Sequence, residues 1–270
     1  MINRVLFSDN GTITDKSKEL NNYHSDIASL VIVADEDYLY ISSEFPFNHL
    51  YFEVPTVASS AMDFTLSVYN GTEFKDVVDT IDETSGFTSS GFITWTPDKD
   101  EGWGYEDTEE ITELSTVNIY NKYWVRIAFE SSDTIGLNWA GNRFSNDEDL
   151  ADSYPSLNTT DVQGSFLSGK TDWDEQHIVV ATDIINDLKI KGTIEDKAQI
   201  LVRRQLSQPA VHRLARLIFN SFGEAYRDQR DDAQKDYRAS LNSIKLISDQ
   251  NNTGAVERSE LTPTTGELVR

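Results

Sequence analysis

The stretch DFTLSVYNGTEFKDVVD, residues 63–79, decides the class of fold. Period-two alternation places Phe64, Leu66 and Val68 on one face with polar neighbours opposite, the pattern of an antiparallel strand that is wet on one side. Asn70 and Gly71 both tolerate positive φ, so Tyr69-Asn70-Gly71-Thr72 predicts a tight turn joining 63–69 to 73–79. Working outward, 37–43, 49–54, 91–95, 123–130 and 135–141 also read as strands. Asn10–Gly11 predicts another hairpin, between 4–8 and 12–14. Short strands punctuated by turn residues, with no helical period between them, predict an antiparallel β-sandwich or jelly roll over 1–165.

The period changes beyond a connecting segment at 146–170, which mixes Asp, Ser, Gly and Asn and in which a short ordered piece has room. Overlapping capping-box spacings at Thr171–Glu175 precede Trp173, His177, Val180, Ala181, Ile184 and Leu188 on one helical stripe, and Gly192 closes that helix. Thr193 and Asp196 predict a second helix running to about Leu206. After Ser207-Gln208-Pro209, the residues Val211, Leu214, Ala215, Ile218 and Phe222 form the most regular stripe of the chain. A fourth helix carries Arg230, Ala233, Tyr237, Leu241, Ile244 and Ser248 along one side. The expected organisation is therefore a mixed α+β chain of two domains: an acidic sandwich over 1–165, a helical bundle over 166–250, and an extended arm over 251–270.

Charge divides along the same line. Residues 1–169 hold 8 basic and 30 acidic residues, net −22, whereas 170–270 hold 15 and 16, net −1. The total of −23 opposes adhesion to nucleic-acid backbones or anionic lipid. The absence of cysteine excludes disulfides, thiol nucleophiles and Cys-ligated metal sites. No run of about 18 apolar residues occurs, and the first residues turn polar after Phe7, so neither a spanning helix nor a signal peptide is expected.

Few residues propose chemistry. His24, His49, His177 and His212 have no partner at metal-ligand spacing, and glycine-rich phosphate loops and Gly-x-Ser-x-Gly are lacking. The expectation is a protein that is not an enzyme and has no cofactor, although two remote carboxylates suffice for a glycosidase. Trp103 and Tyr105 in the acidic stretch 98–107 have two readings: rings that stack on a sugar face, or rings that anchor a loop to its own sheet. Asp249, Asn251, Thr253 and Glu260, with Gly254 at the sharp turn, have the spacing of an EF-hand calcium loop. The set has few carboxylates and no exit helix, and an Asx/Gly turn uses the same residues.

The runs Tyr69–Phe74, Thr84–Pro97 and Tyr123–Ile127 resemble β-sandwich regions of tailed-bacteriophage structural proteins. The helical half resembles the head-to-tail connector, or neck adaptor, proteins of those phages. The likeness rests on Asp172-Trp173 opening the first helix, Ala181 and Asp183 within it, Tyr237, Leu241 and Ile244 on the penultimate one, and Asp249-x-Asn251-x-x-Gly254 before the arm. The resemblance implies a structural protein of the virion neck. Its homo-oligomeric ring, of about twelve subunits in such families, joins the portal protein ring to tail or other neck proteins and passes DNA without specific binding. It also implies that Leu261, Leu268, Val269 and Arg270 of the arm meet the portal or a neighbouring subunit. The alternative is a glycan- or receptor-binding sandwich module, on a virion surface or secreted.

Overall fold

The computed structural model describes residues 2–23, 26–96, 102–249 and 253. Antiparallel sheets occupy the N-terminal part and several helices the C-terminal part. The strands are β1 (Ile2–Asp9), β2 (Thr12–Asp15), β3 (Ala28–Ile32), β4 (Tyr38–Ser43), β5 (His49–Glu53), β6 (Phe64–Tyr69), β7 (Phe74–Asp76), β8 (Asp79–Asp82), β9 (Gly91–Thr96), β10 (Tyr123–Phe129), β11 (Asp133–Leu137) and β12 (Trp139–Gly141). The helices are the single turn α1 (Ser17–Leu20), then α2 (Asp147–Ser153), α3 (Thr160–Phe166), α4 (Asp174–Ile190), α5 (Ser207–Ser221) and α6 (Arg227–Ser243). Among the described residues, no helix is long and apolar enough to cross a membrane.

Internal contacts divide the chain into two compact units. One holds residues up to Asn142 with Asp196–Leu201 and Asp249; the other holds Arg143–Glu195 and Val202–Ser248. The sequence placed the division at 165. Yet α2 and α3 fall with the helices, because the capping box of Asn146 and Asp149 and the cap from Thr159 to the Val162 amide start helices inside the supposed linker.

In the first unit the larger sheet has the order β2-β1-β4-β10-β6-β7, and a four-stranded sheet runs β12-β5-β9-β8; β11 and β3 form a separate pair. Leu39, Ile41, Val125 and Ile127 of the larger sheet and Leu50, Phe52 and Ile93 of the smaller one belong to one apolar cluster. The opposite face of the larger sheet is also covered. Leu6, Tyr40, Tyr69 and Trp124 pack there with Ile111 and Leu114, which lie on two 3₁₀ turns, Thr108–Glu110 and Thr112–Leu114.

The Asn10–Gly11 hairpin forms as expected. Asp9 pairs with Thr12, and φ values of 44° and 84° give the left-handed pair that a two-residue loop requires. The Asn70–Gly71 turn differs. Tyr69 pairs with Phe74 across a four-residue loop in which the Asn70 side chain accepts the amides of Thr72 and Glu73, both at 2.9 Å, and of the two only Gly71 has positive φ. Two expected strands each split between sheets. After β7 the chain crosses over at Val77 and Val78, whose amides reach Leu66 and Thr96 respectively. Residues 135–141 break at Asn138, leaving β11 with β3 and β12 with β5. β3 escaped the sequence reading because Ala28-Ser29-Leu30-Val31-Ile32 has no clear polar alternation.

In the second unit α4 buries His177, Val180, Ala181, Ile184 and Leu188 as its stripe predicts, Trp173 is buried at its N-cap, and Gly192 follows with φ 68°. The helix expected from 193 to 206 does not form. Two 3₁₀ turns, Lys197–Gln199 and Arg203–Leu206, flank an extended piece. Asp196 and Gln199 close a capping box over a single turn, and the Leu201 carbonyl then accepts from Asn48 Nδ2 at 2.9 Å, so tertiary bonds replace helical ones. α5 buries Val211, Leu214, Ala215 and Ile218; Phe222 lies one residue beyond it and is half-buried. α6 buries Ala233, Tyr237 and Leu241 but ends at Ser243, so Ile244 and Ser248 are not on it.

Candidate functional site

Two polar constellations stand out, both within the helical unit. The first is a buried chain of hydrogen bonds. Ser145 precedes the N-cap of α2, Asp147 opens that helix, and His177 lies one turn into α4. Ser145 Oγ is 2.8 Å from His177 Nδ1, and His177 Nε2 is 3.1 Å from Asp147 Oδ1. Asp147 Oδ2 accepts the Trp173 amide, and the Trp173 indole donates to the Leu157 carbonyl at 3.1 Å. Beside them Arg143 donates through Nε to the Ser145 carbonyl at 2.8 Å and pairs through Nη2 with Asp174 at 2.7 Å.

The trio contains the three residue types of a hydrolytic triad. Its ring orientation is reversed, with Nδ1 rather than Nε2 facing the hydroxyl. Ser145 and His177 are each 1% exposed, which leaves no approach for a substrate carbonyl to the hydroxyl. Burial, reinforced by the Arg143 charge, holds the His177 imidazole well below its ordinary pKa, and burial pushes the Asp147 carboxyl up. A neutral ring with Nε2–H donating to Asp147 and Nδ1 accepting from Ser145 satisfies every member. The network therefore ties α2 to α4. Sequence reading placed His177 on the inner stripe but missed the trio, because Ser145 and Asp147 lie in a stretch that reads as a connecting loop.

The second constellation is a groove of about 490 Å³ among α4, α5 and α6, lined by Ile190, Lys191, Arg213, Arg216, Arg238 and Leu241, with Asp187, Gln234, Tyr237 and Asn242 completing it. Arg213 donates through Nε and Nη2 to one oxygen of Asp183, at 3.1 and 2.7 Å, while its guanidinium lies 5.4 Å from the Tyr237 ring centroid. The Tyr237 hydroxyl donates to Asp187 at 2.5 Å, and Lys191 Nζ donates to Asn242 at 2.8 Å. The groove was not singled out from the sequence: its cations come from the end of α4, from α5 and from α6, and form no local run.

The residues that the sequence did single out are dispersed. His49 contacts Asn48 Oδ1 at 2.9 Å and Asn142 Nδ2 at 3.3 Å, and His212 meets the Tyr154 hydroxyl at 2.9 Å; His24 lies outside the described residues. No group of three metal-ligating side chains occurs among the described residues. Of the calcium-like set, Asn251 and Glu260 lie outside them. Asp249 is buried, with Oδ1 accepting the amide of Thr253, four residues on, at 3.0 Å. Leu261, Leu268, Val269 and Arg270 also lie outside the described residues.

Trp103 packs inward, its ring centroid 5.5 Å from that of Phe47 and 6.0 Å from that of Tyr123. Its loop is pinned by the Gly104 amide, 2.7 Å from the Tyr69 carbonyl, at a point so close that a Cβ on Gly104 would stand 2.0 Å from the Gly71 nitrogen. Tyr105 remains half-exposed.

Comparison of the chain with protein-family models, with curated proteins and with solved structures finds no match.

Proposed function

We propose that the protein is a structural subunit of a phage virion, a head-to-tail adaptor whose helical unit docks on a portal ring and whose acidic sheets form a two-layer sandwich. One observation carries the reading: the serine, histidine and aspartate that could have supplied chemistry are closed inside the helical unit and spent on holding its helices together. What that unit offers at its surface is a charged groove, a feature suited to contact with another protein. The strongly acidic sheets fit a conduit that lets DNA pass without gripping it, because a chain lacking positive excess gains nothing from counterion release. The inward packing of Trp103 favours the loop-anchoring use of that ring over a sugar-stacking one.

The arm beyond residue 250 supplies the docking element in this reading. The test is deletion of residues 261–270 followed by negative-stain microscopy of the chain mixed with the portal ring of its phage. The expected result is an unchanged melting temperature of the free subunit and loss of the adaptor ring from portals. Full occupancy by the truncated chain, or failure of the intact chain to occupy portals, overturns the proposal. Retention on a glycan array without portal binding would transfer the function to a receptor-binding module.

A further inference from the structure

The groove among α4, α5 and α6 gathers guanidinium groups whose nearby carboxylates are already engaged. Asp183 is taken by Arg213 and Asp187 by the Tyr237 hydroxyl. Arg230, further along α6, faces Glu224 and Asp231. Arg216 and Arg238 form no ion pair with the described residues. Arg216 is partly buried, and its pKa is lowered first by that burial and then by repulsion from Arg213 and Arg238. Clustering the partly buried Arg216 with the exposed Arg238 and with Arg213 is unfavourable until an anion arrives, which makes the groove a receptor for negative charge. Its lining also has apolar members: Ile190, 84% exposed, and the buried Leu241. An occupant that combines carboxylates with apolar or aromatic side chains matches both features, whereas a bare inorganic anion matches only one.

The chain itself carries such a segment. On the outer side of the larger sheet, Glu109 and Glu110 are exposed on the 3₁₀ turn Thr108–Glu110 and pair with no cation among the described residues. Tyr105 and Tyr120 are exposed at 49% and 55% close by in the same loop, which is held by the Thr108–Ile119 and Glu106–Lys122 backbone bonds. We propose that the groove lined by Arg216, Arg238, Ile190 and Leu241 receives the acidic loop around Glu109 and Glu110 from a second copy of this chain. Such a contact is heterologous: one surface of each copy meets a different surface of the next. Repetition closes into a ring when the rotation allows it. The inference rests on the ring-forming part of the adaptor reading and names the contact between subunits; it does not depend on what the ring docks upon.

Sedimentation velocity of the full-length chain, over a range of concentration and salt, tests it. The wild-type chain is expected to associate at low salt and to return to monomer mass at about 1 M NaCl, where charges are screened beyond about 3 Å. Arg216→Glu with Arg238→Glu, and separately Glu109→Lys with Glu110→Lys, are each expected to weaken association about tenfold or more while circular dichroism and melting temperature stay at wild-type values. Mixing the two charge-reversed chains is expected to restore association, since an acidic loop again meets a basic groove. If the reversed arginine pair fails to fold, Arg216→Gln with Arg238→Gln replaces it and is expected to weaken association as well.

A wild-type chain that stays monomeric at every concentration overturns the proposal, as does association that neither pair weakens. Inorganic phosphate that raises the melting temperature of a monomeric wild-type chain assigns the groove to a small anion and equally overturns it. Portal occupancy, scored in a separate experiment, distinguishes the two readings. Association through this contact without portal docking defeats the adaptor alone, and docking by a chain that never self-associates defeats this contact alone.

Discussion

His177 Nε2 lies 3.1 Å from Asp147 Oδ1, with the imidazole 1% exposed. The ring's folded pKa is lowered by burial and by Arg143, so the unfolded chain binds the extra proton first as pH falls. The stability contributed by the neutral ring is present above about pH 6.5 and is lost as pH drops through that value. His212, whose pKa is also lowered by burial, acts with the same sign. Asp147 acts oppositely. Its raised pKa means that the folded state takes up its proton first, in a window above about 3.8. Urea midpoints measured from pH 8 down to pH 5 should therefore fall, and His177→Gln should reduce that slope. A midpoint independent of pH over this range contradicts a ring held neutral by burial.

Ile218 is fully buried in α5, a helix that packs against α2, α4 and α6. Ile218→Ala should cost about 2–5 kcal/mol in denaturant unfolding, since the removed methyl groups leave a cavity that helices held on two sides close poorly. A cost below about 1 kcal/mol contradicts a core role.

Gly104 and Gly164 should respond to the same substitution with opposite signs. A Cβ at Gly104 meets the Gly71 backbone at 2.0 Å, so Gly104→Ala must push two loops apart and should destabilise by about 1–3 kcal/mol. Gly164 lies inside α3 with nothing within 4 Å of the added Cβ, so Gly164→Ala should stabilise by about 0.4–1 kcal/mol. Thermal melts of the two variants give the comparison.

Arg126 on β10 lies 4.7 Å from the Phe74 ring centroid and 5.4 Å from that of Tyr38, with Glu113 at 3.8 Å. Its planar group stacks where an ammonium cannot, so Arg126→Lys should cost about 1 kcal/mol despite the retained charge. Equal stability of the two chains shows that charge alone matters there.

A net charge of −23 should keep the chain off duplex DNA even at low ionic strength, where its repulsion is least screened. A mobility-shift titration in low salt should leave the duplex unretarded. Tight binding there would relocate the function toward nucleic acid.

Local chemistry was legible along the chain wherever a few neighbouring residues decide the outcome. Asn10–Gly11 made its hairpin because positive φ is readily adopted by that pair, and the stripes through α4 and α5, Phe222 excepted, are buried because 3.6-residue periodicity puts their residues on one face. Tertiary structure decided whatever depended on competing partners. The Asn48 amide at the Leu201 carbonyl replaced a helix that Asp196 was placed to start, and the strands read at 73–79 and 135–141 divided between sheets where backbone groups found different neighbours. The Ser145–His177–Asp147 network and the arginine groove are of the same kind. Each joins segments tens of residues apart in the chain, and their proximity, invisible in any local pattern, sets the protonation of the first and the spare charge of the second.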